Sequence, residues 1–183
     1  MAEFRLLRSP APAPSRDDEC LDAFQRELDY IYRSLRRLGT PASEVDDLAQ
    51  EVFLALRHSW DQYDGSRPIR PYLFGIAFRI SAANQRKRRR EVAFAVIETD
   101  DRGPNPDEAL QTKQARAHVL EALEHIPLKR RAVLVMHDLD DVPVREVAAA
   151  LSIPVFTVYS RLRKARGELE SALRRTRKDG GNA

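Results

Sequence analysis

Residues 144–166 read VREVAAALSIPVFTVYSRLRKAR. Val144–Leu151 has small residues on one face and predicts a short helix. Ser152-Ile153-Pro154 breaks it, because proline removes an amide donor and restricts the residue before it. Val155 opens a long helix, predicted to run to Arg175. Its stripe of Val155, Val158, Leu162, Ala165, Leu169 and Ala172 is the expected core-facing side. The other side presents Thr157, Ser160, Arg161 and Lys164, with Phe156, Tyr159 and Arg163 beside it. A short helix, a tight turn and a longer basic helix make a helix-turn-helix.

Charge supports that assignment. From Tyr159 to Lys178 eight bases stand against two acids. Arg and Lys neutralise phosphates, and the first turns of a second helix can reach base edges in the major groove. A helical hairpin with a solvated basic face would carry a similar pattern.

Upstream, Leu21, Phe24, Leu28, Ile31 and Leu35 fall at steps of three and four and predict one amphipathic helix, stopped at Gly39-Thr40-Pro41. A second helix, expected to be capped by Ser43, carries Val45, Leu48, Val52 and Leu56. Residues 61–71 read as a loop, with Asp64-Gly65-Ser66 and two prolines. A third helix is predicted from Tyr72 to Arg90 and ends in Asn84-Gln85-Arg86-Lys87-Arg88-Arg89-Arg90. Cations beside Trp60, Tyr63, Tyr72, Phe74 and Phe78 are what single-stranded nucleic acid requires, a track for the backbone and rings for bases. Phe74 and Phe78, one turn apart, read better as core, which leaves Trp60 and Tyr63 as the stacking candidates. On the second helix Asp47, Gln50, Glu51 and Leu54 share a face, fit for a basic partner helix or for water.

Between the two helical blocks, residues 91–110 hold six acids, one base and Gly103-Pro104-Asn105-Pro106. That composition marks a linker. The expected architecture is all-α: a disordered arm over 1–16 containing SPAPAPS, a helical domain over 17–91, an acidic linker over 92–107, a helix-turn-helix domain over 108–176, and a disordered tail over 177–183. Helices are expected over Glu108–His125 and Leu128–His137.

Composition narrows the function classes. The chain has 183 residues, 32% charged, net charge +3, 7% aromatic and one cysteine. One cysteine excludes an intrachain disulfide and a Cys-rich zinc module; Cys20 reads as a small apolar packer. No run approaches the roughly 20 apolar residues of a membrane span, and the N-terminus lacks a signal-peptide pattern. A cytoplasmic protein without membrane insertion is expected. No phosphate-binding Gly loop or G-x-S-x-G elbow is present. His58, His118, His125 and His137 are scattered, whereas a closed zinc site needs four ligands. No enzyme, metal or cofactor is expected.

The ordered set Asp47-x-x-Gln50-Glu51-Val52-Phe53, Tyr72-Leu73-Phe74-x-Ile76-Ala77, the Arg run, Ile126-Pro127 and Thr157-Val158-x-Ser160-Arg161-Leu162-x-x-Ala165-Arg166 resembles bacterial sigma-70 family sigma factors of the extracytoplasmic-function (ECF) class, over residues 18–175. The resemblance implies that the first domain is sigma region 2 and the second is region 4. It implies docking on core RNA polymerase, at the β′ clamp helices and β flap, through Asp47, Gln50, Glu51, Phe53 and Leu54. It implies −10 promoter recognition and melting through Trp60, Tyr63, Tyr72, Arg79, Asn84, Arg86, Lys87 and Arg88. It implies −35 recognition through Phe156, Thr157, Tyr159, Ser160, Arg161, Arg163 and Lys164, passage of the acidic linker through the polymerase, and an anti-sigma partner. A conventional helix-turn-helix regulator, binding duplex DNA without core polymerase, is the alternative. A sequestering protein that never touches DNA fits poorly with two basic stretches.

This chain departs from the family pattern at identifiable positions. Tyr72 stands where Trp is usual and Arg79 where Asn is usual. Pro143 stands in place of a capping Ser, and Ser152 in place of a turn glycine. Phe156 and Tyr159 replace a small and a basic residue at the start of the second helix. These two rings predict an unusual −35 preference through thymine methyl contacts.

Overall fold

The computed structural model describes residues 15–92 and 110–180, with side chains over 15–90 and 117–175. Among them are eight α-helices and no strand, the all-α class expected. The expected arm lies outside the described residues up to position 14, and the expected linker lies outside them beyond Val92.

The first unit begins with α1 (Arg16–Arg26). Ser15 caps it: its hydroxyl accepts from the Asp18 amide at 3.1 Å, and the Asp18 carboxylate accepts from the Ser15 amide at 3.0 Å. The Ser15 hydroxyl, which also donates to the Asp18 carboxylate at 2.7 Å, and the Ser15 amide together hold the Asp18 carboxyl below its ordinary value. The single helix expected across Leu21–Leu35 is two, because the chain turns at Glu27 (φ −106°, ψ 10°) before α2 (Leu28–Arg37). The turn places the Glu27 carboxylate 2.7 Å from Arg70, a tertiary tie that local periodicity does not encode. α2 closes with a Schellman motif, Thr40 N–H to Leu35 O and Gly39 N–H to Arg36 O, and Gly39 takes φ 90°.

α3 spans Val45–Ser59. Ser43 does not cap it. Pro41 enters extended (φ −56°, ψ 151°), and Ser43 is wound into a 3-10 turn, Ala42–Glu44, ahead of the helix. α4 spans Ile69–Val92 and starts earlier than predicted; Pro71 is tolerated there because first-turn amides have no intrahelical acceptor. α2, α3 and α4 pack around Ile31, Leu35, Val52, Leu56, Leu73 and Phe74, with Cys20 buried as expected.

The second unit holds α5 (Leu110–Glu124), α6 (Leu128–Leu134), α7 (Val144–Ala150) and α8 (Val155–Gly180). α6 widens into a π-helical segment, Val135–Leu139, closed by Asp141 at φ 53°. Pro127 and Pro143 sit at the N-caps of α6 and α7 and supply no side-chain cap. α7 ends in a second Schellman motif, Ile153 N–H to Ala148 O and Ser152 N–H to Ala149 O, with Ser152 at φ 52°. Ser152 therefore does occupy the left-handed position that glycine suits. α8 is helical through Gly180, into the stretch expected as tail. Val155, the first residue of α8, is exposed and does not face the core; Val158, Leu162, Ala165 and Ala172 are buried.

The two units share one continuous hydrophobic core. α4 meets α7, and α2 meets α5. A Cβ at Gly75 would lie 2.5 Å from the Ala150 carbonyl oxygen, so only glycine admits this approach. The Asp140 carboxylate, 10% exposed, accepts from Arg37 Nη1 at 2.6 Å and from the Tyr30 hydroxyl at 3.0 Å. Burial and the Asp140 charge push the Tyr30 phenol well above its ordinary value. Buried Arg131 donates Nε to Ile126 O at 3.1 Å and Nη2 to Glu124 O at 2.9 Å, capping α5. Its Nη1 has no hydrogen-bond partner and lies against Gly39 of the first unit. Burial draws the Arg131 guanidinium down to about 10, so it remains charged at neutral pH.

Candidate nucleic-acid interface

The helix-turn-helix is held by buried Val147 and Ala148 on α7 and buried Val158 and Leu162 on α8. That packing turns the first turns of α8 outward. Phe156 is 81% exposed and Tyr159 60%. A large ring at such exposure contributes nothing to the core, and its apolar surface is available to a partner. Thr157, Ser160 and Arg161 are half-buried; Arg163 and Lys164 are exposed. The Ser160 hydroxyl donates to Thr157 O at 3.0 Å, which leaves it an acceptor toward anything outside. The structure thus brings all seven residues expected on this helix to its open, N-terminal half.

Basic residues further along α8 are committed elsewhere. Arg166 grips Asp138 of the π-helical segment in a two-pronged bond at 2.8 and 2.7 Å, and this holds the Asp138 carboxyl below its ordinary value. Arg174 pairs with Glu170 one turn away. Arg130 of α6 pairs with Glu168. Arg161, Arg163 and Lys164 carry the basic character of the open, N-terminal half of α8.

In the first unit three rings form a ladder. Trp60 stacks on Tyr63 (centroids 5.3 Å, 24°), and Tyr63 leans on Tyr72 (5.1 Å, 37°). The Tyr72 hydroxyl donates to Ser59 Oγ at 2.8 Å, fixing the top of α4 to the end of α3. All three rings are half-buried. Tyr72, Arg79 and Arg86 recur at seven-residue spacing and so lie along one face of α4; Arg79 and Arg86 are exposed. Lys87 lies beside that face. Asn84 and Arg88 fall on another side, where both meet Glu44, Asn84 Nδ2 donating at 2.6 Å and Arg88 pairing at 3.6 Å. Phe74 is fully buried and Phe78 half-buried against the core, as read.

On α3, Asp47, Gln50, Glu51 and Leu54 are exposed and share a face, with Leu54 61% exposed at its C-terminal end. Phe53 is separate: its half-buried ring packs on Phe24 of α1 at 5.0 Å. Sequence reasoning missed Glu44, which ties down Asn84 and Arg88, and Glu146, which shares a cleft with the ring ladder. Neither has a local signature. Among the described residues, no group of three or more His, Cys, Asp or Glu side chains is placed to hold a metal. No helix among them is long and apolar enough to cross a membrane.

Comparison with known proteins agrees with this geometry. Residues 23–91 match the model for sigma-70 region 2, and residues 116–169 the model for sigma-70 region 4. The ECF RNA polymerase sigma factor SigW of Bacillus subtilis is 28% identical over 159 residues, covering 80% of this chain and 84% of its own. The structure of CnrH in complex with the cytosolic domain of CnrY superposes with a TM-score of 0.61 at 25% identity, covering 84% of this chain and 86% of that one. The sigma factor RpoE in complex with the anti-sigma factor NepR, from Bartonella quintana, shares the fold with a TM-score of 0.63 at 22% identity, covering 84% and 98%.

Proposed function

Because the chain belongs to the sigma-70 family of RNA polymerase sigma factors, in its ECF class, we propose how its surfaces divide the work of promoter selection. The α3 face of Asp47, Gln50, Glu51 and Leu54 docks on the β′ clamp helices of core polymerase, with Phe53 bracing α3 on α1 from behind. Region 4 rests on the β flap. The Trp60–Tyr63–Tyr72 ladder and the Arg79–Arg86 face of α4 capture the −10 strand as it melts. Lys87 flanks that track, while Asn84 and Arg88 brace α4 on Glu44. The open half of α8 reads the −35 element. An anti-sigma factor, the partner seen on the RpoE relative, holds the chain back. The chain carries out no bond chemistry itself, and works in the cytoplasm where polymerase is.

The observation that carries this division is the ring ladder set at the foot of a basic helix face. Rings supply stacking to unpaired bases and cations follow the backbone. Reconstituted transcription with bacterial core polymerase is the test. Initiation at defined start sites that fails with Trp60→Ala, while core binding persists, supports the division. Duplex binding without core association would transfer the chain to conventional helix-turn-helix regulators.

A further inference from the structure

Glu44 is the last residue of the 3-10 turn Ala42–Glu44 that leads into α3. Its backbone is fixed: its N–H donates to Pro41 O at 3.1 Å, and the Schellman closure of α2 lies just before that proline. The carboxylate it carries meets α4. Asn84 Nδ2 donates to Glu44 Oε2 at 2.6 Å, and Arg88 Nε stands 3.6 Å from Oε1. Asn84 and Arg88 are four residues apart and lie one above the other on the helix. One carboxylate thus engages two turns of α4, with a different oxygen for each. Arg86 stands two residues from both, roughly 160° around the helix axis.

Charge decides what Asn84 and Arg88 can do for a nucleic acid. A hydrogen bond to a carboxylate is about twice as strong as one between neutral groups, so a neutral base acceptor competes poorly for the Asn84 amide. The Arg88 guanidinium and the Glu44 carboxylate sum to zero. Their side chains are 46% and 32% exposed, so the pair itself is weak. Its effect on a third charge is large. A phosphate drawn toward Arg88 is repelled by Glu44 over nearly the same distance.

We propose that Glu44 sets which side of α4 faces the melted strand. It cancels Arg88 and occupies Asn84, so the strand follows exposed Arg79 and Arg86, and Arg88 neutralises no phosphate. Glu44 is a positioning residue that touches no DNA. This rests on the assignment of the Arg79–Arg86 face to the −10 strand.

Salt dependence reads the number of neutralised phosphates. Each one on a single strand contributes about 0.7 to the slope of log affinity against log salt. The test uses holoenzyme reconstituted from the full chain and bacterial core polymerase. Anisotropy of a fluorescein-labelled oligothymidylate is followed between about 50 mM and about 200 mM salt. Arg86→Ala is expected to lower the steepness by about 0.7, and Arg88→Ala to leave it unchanged. Glu44→Gln keeps an acceptor for Asn84 and removes the charge. It is expected to raise the steepness by about 0.7, so that its affinity gain over wild type is about 2.6-fold larger at the lower salt. Arg88→Ala added to Glu44→Gln should restore the wild-type slope. A merely structural brace would not give that reversal, because the second substitution rebuilds no contact.

If Arg88→Ala alone flattens the slope as Arg86→Ala does, the proposal is overturned. A Glu44→Gln slope equal to wild type overturns it too. Circular dichroism checks that helix content is retained, and should Glu44→Gln lose it, Arg88→Ala in the native background still decides. A slope unmoved by Arg86→Ala is a different pattern: it takes the strand off α4 and overturns the −10 assignment together with what rests on it.

Discussion

Arg166 and Asp138 meet through two nitrogen–oxygen contacts of 2.8 and 2.7 Å, fastening the middle of α8 to the π-helical segment that follows α6. The pair is structural, and its pH dependence has a definite sign. The folded Asp138 carboxyl titrates below its ordinary 3.8. The contribution is therefore fully present above the unfolded value and is lost as pH falls through the folded one. Arg166 is 57% exposed in its side chain, so screening limits the pair to under about 1 kcal/mol. Urea titrations of wild type and Arg166→Ala should differ by a constant amount from about pH 5 to about pH 8 and converge in stronger acid. A difference that widens on acidification would contradict this origin. Promoter sequence preference should not change.

Phe156 and Tyr159 project from α8 with most of their surface exposed. If their rings meet thymine methyl groups, replacing thymine by uracil in the −35 element should weaken wild-type binding. One buried methyl is worth about 0.8 kcal/mol, about fourfold. Phe156→Ala should be nearly insensitive to the same replacement and as stable as wild type. Equal uracil penalties in both proteins would remove Phe156 from base reading.

The α3 face makes a separable prediction. Gln50→Ala with Glu51→Ala, or Leu54→Ala alone, should reduce core polymerase binding in a pull-down. All three residues are exposed, so the circular dichroism melt should move little, within about 0.5 kcal/mol. An unfolded double mutant would make the face a folding element.

Ser152 holds φ 52° at the end of α7. A side chain in the left-handed region costs roughly 1 kcal/mol, and glycine relieves it at some cost in unfolded-chain entropy. Ser152→Gly should raise stability by about 0.5 kcal/mol. A lower melting temperature would show that the serine side chain contributes more than its backbone strain.

Much of this was legible in the chain. Val158, Leu162, Ala165 and Ala172 recur at helical spacing, and they are the buried side of α8. Gly39 and Ser152 were readable as chain reversals because only those backbone conformations close the helices before them. What was not legible depends on partners remote in sequence. The break at Glu27 goes with Arg70, 43 residues away. Asn84 and Arg88 read as part of the basic track, yet both are turned to Glu44. Arg166 counts among the eight bases of the Tyr159–Lys178 stretch, yet it is paired with Asp138. Composition counts charges without showing which have been answered inside the fold. The meeting of Tyr30 and Arg37 with Asp140 spans more than 100 positions, and no window of local sequence contains it.

The continuous core also bears on how such chains can be recombined. Inter-domain surfaces that open freely are usually polar enough to stand alone in water. Here a region 4 severed at the linker would carry Asp140 away from both of its donors and bare the end of α7 where Gly75 now sits. A chimaera that pairs this region 2 with a foreign region 4 would need a residue like Asp140 opposite Arg37 and an equally close backbone opposite Gly75. The two halves are thus matched parts, and exchanging one would change the resting shape of the molecule before it changed any promoter.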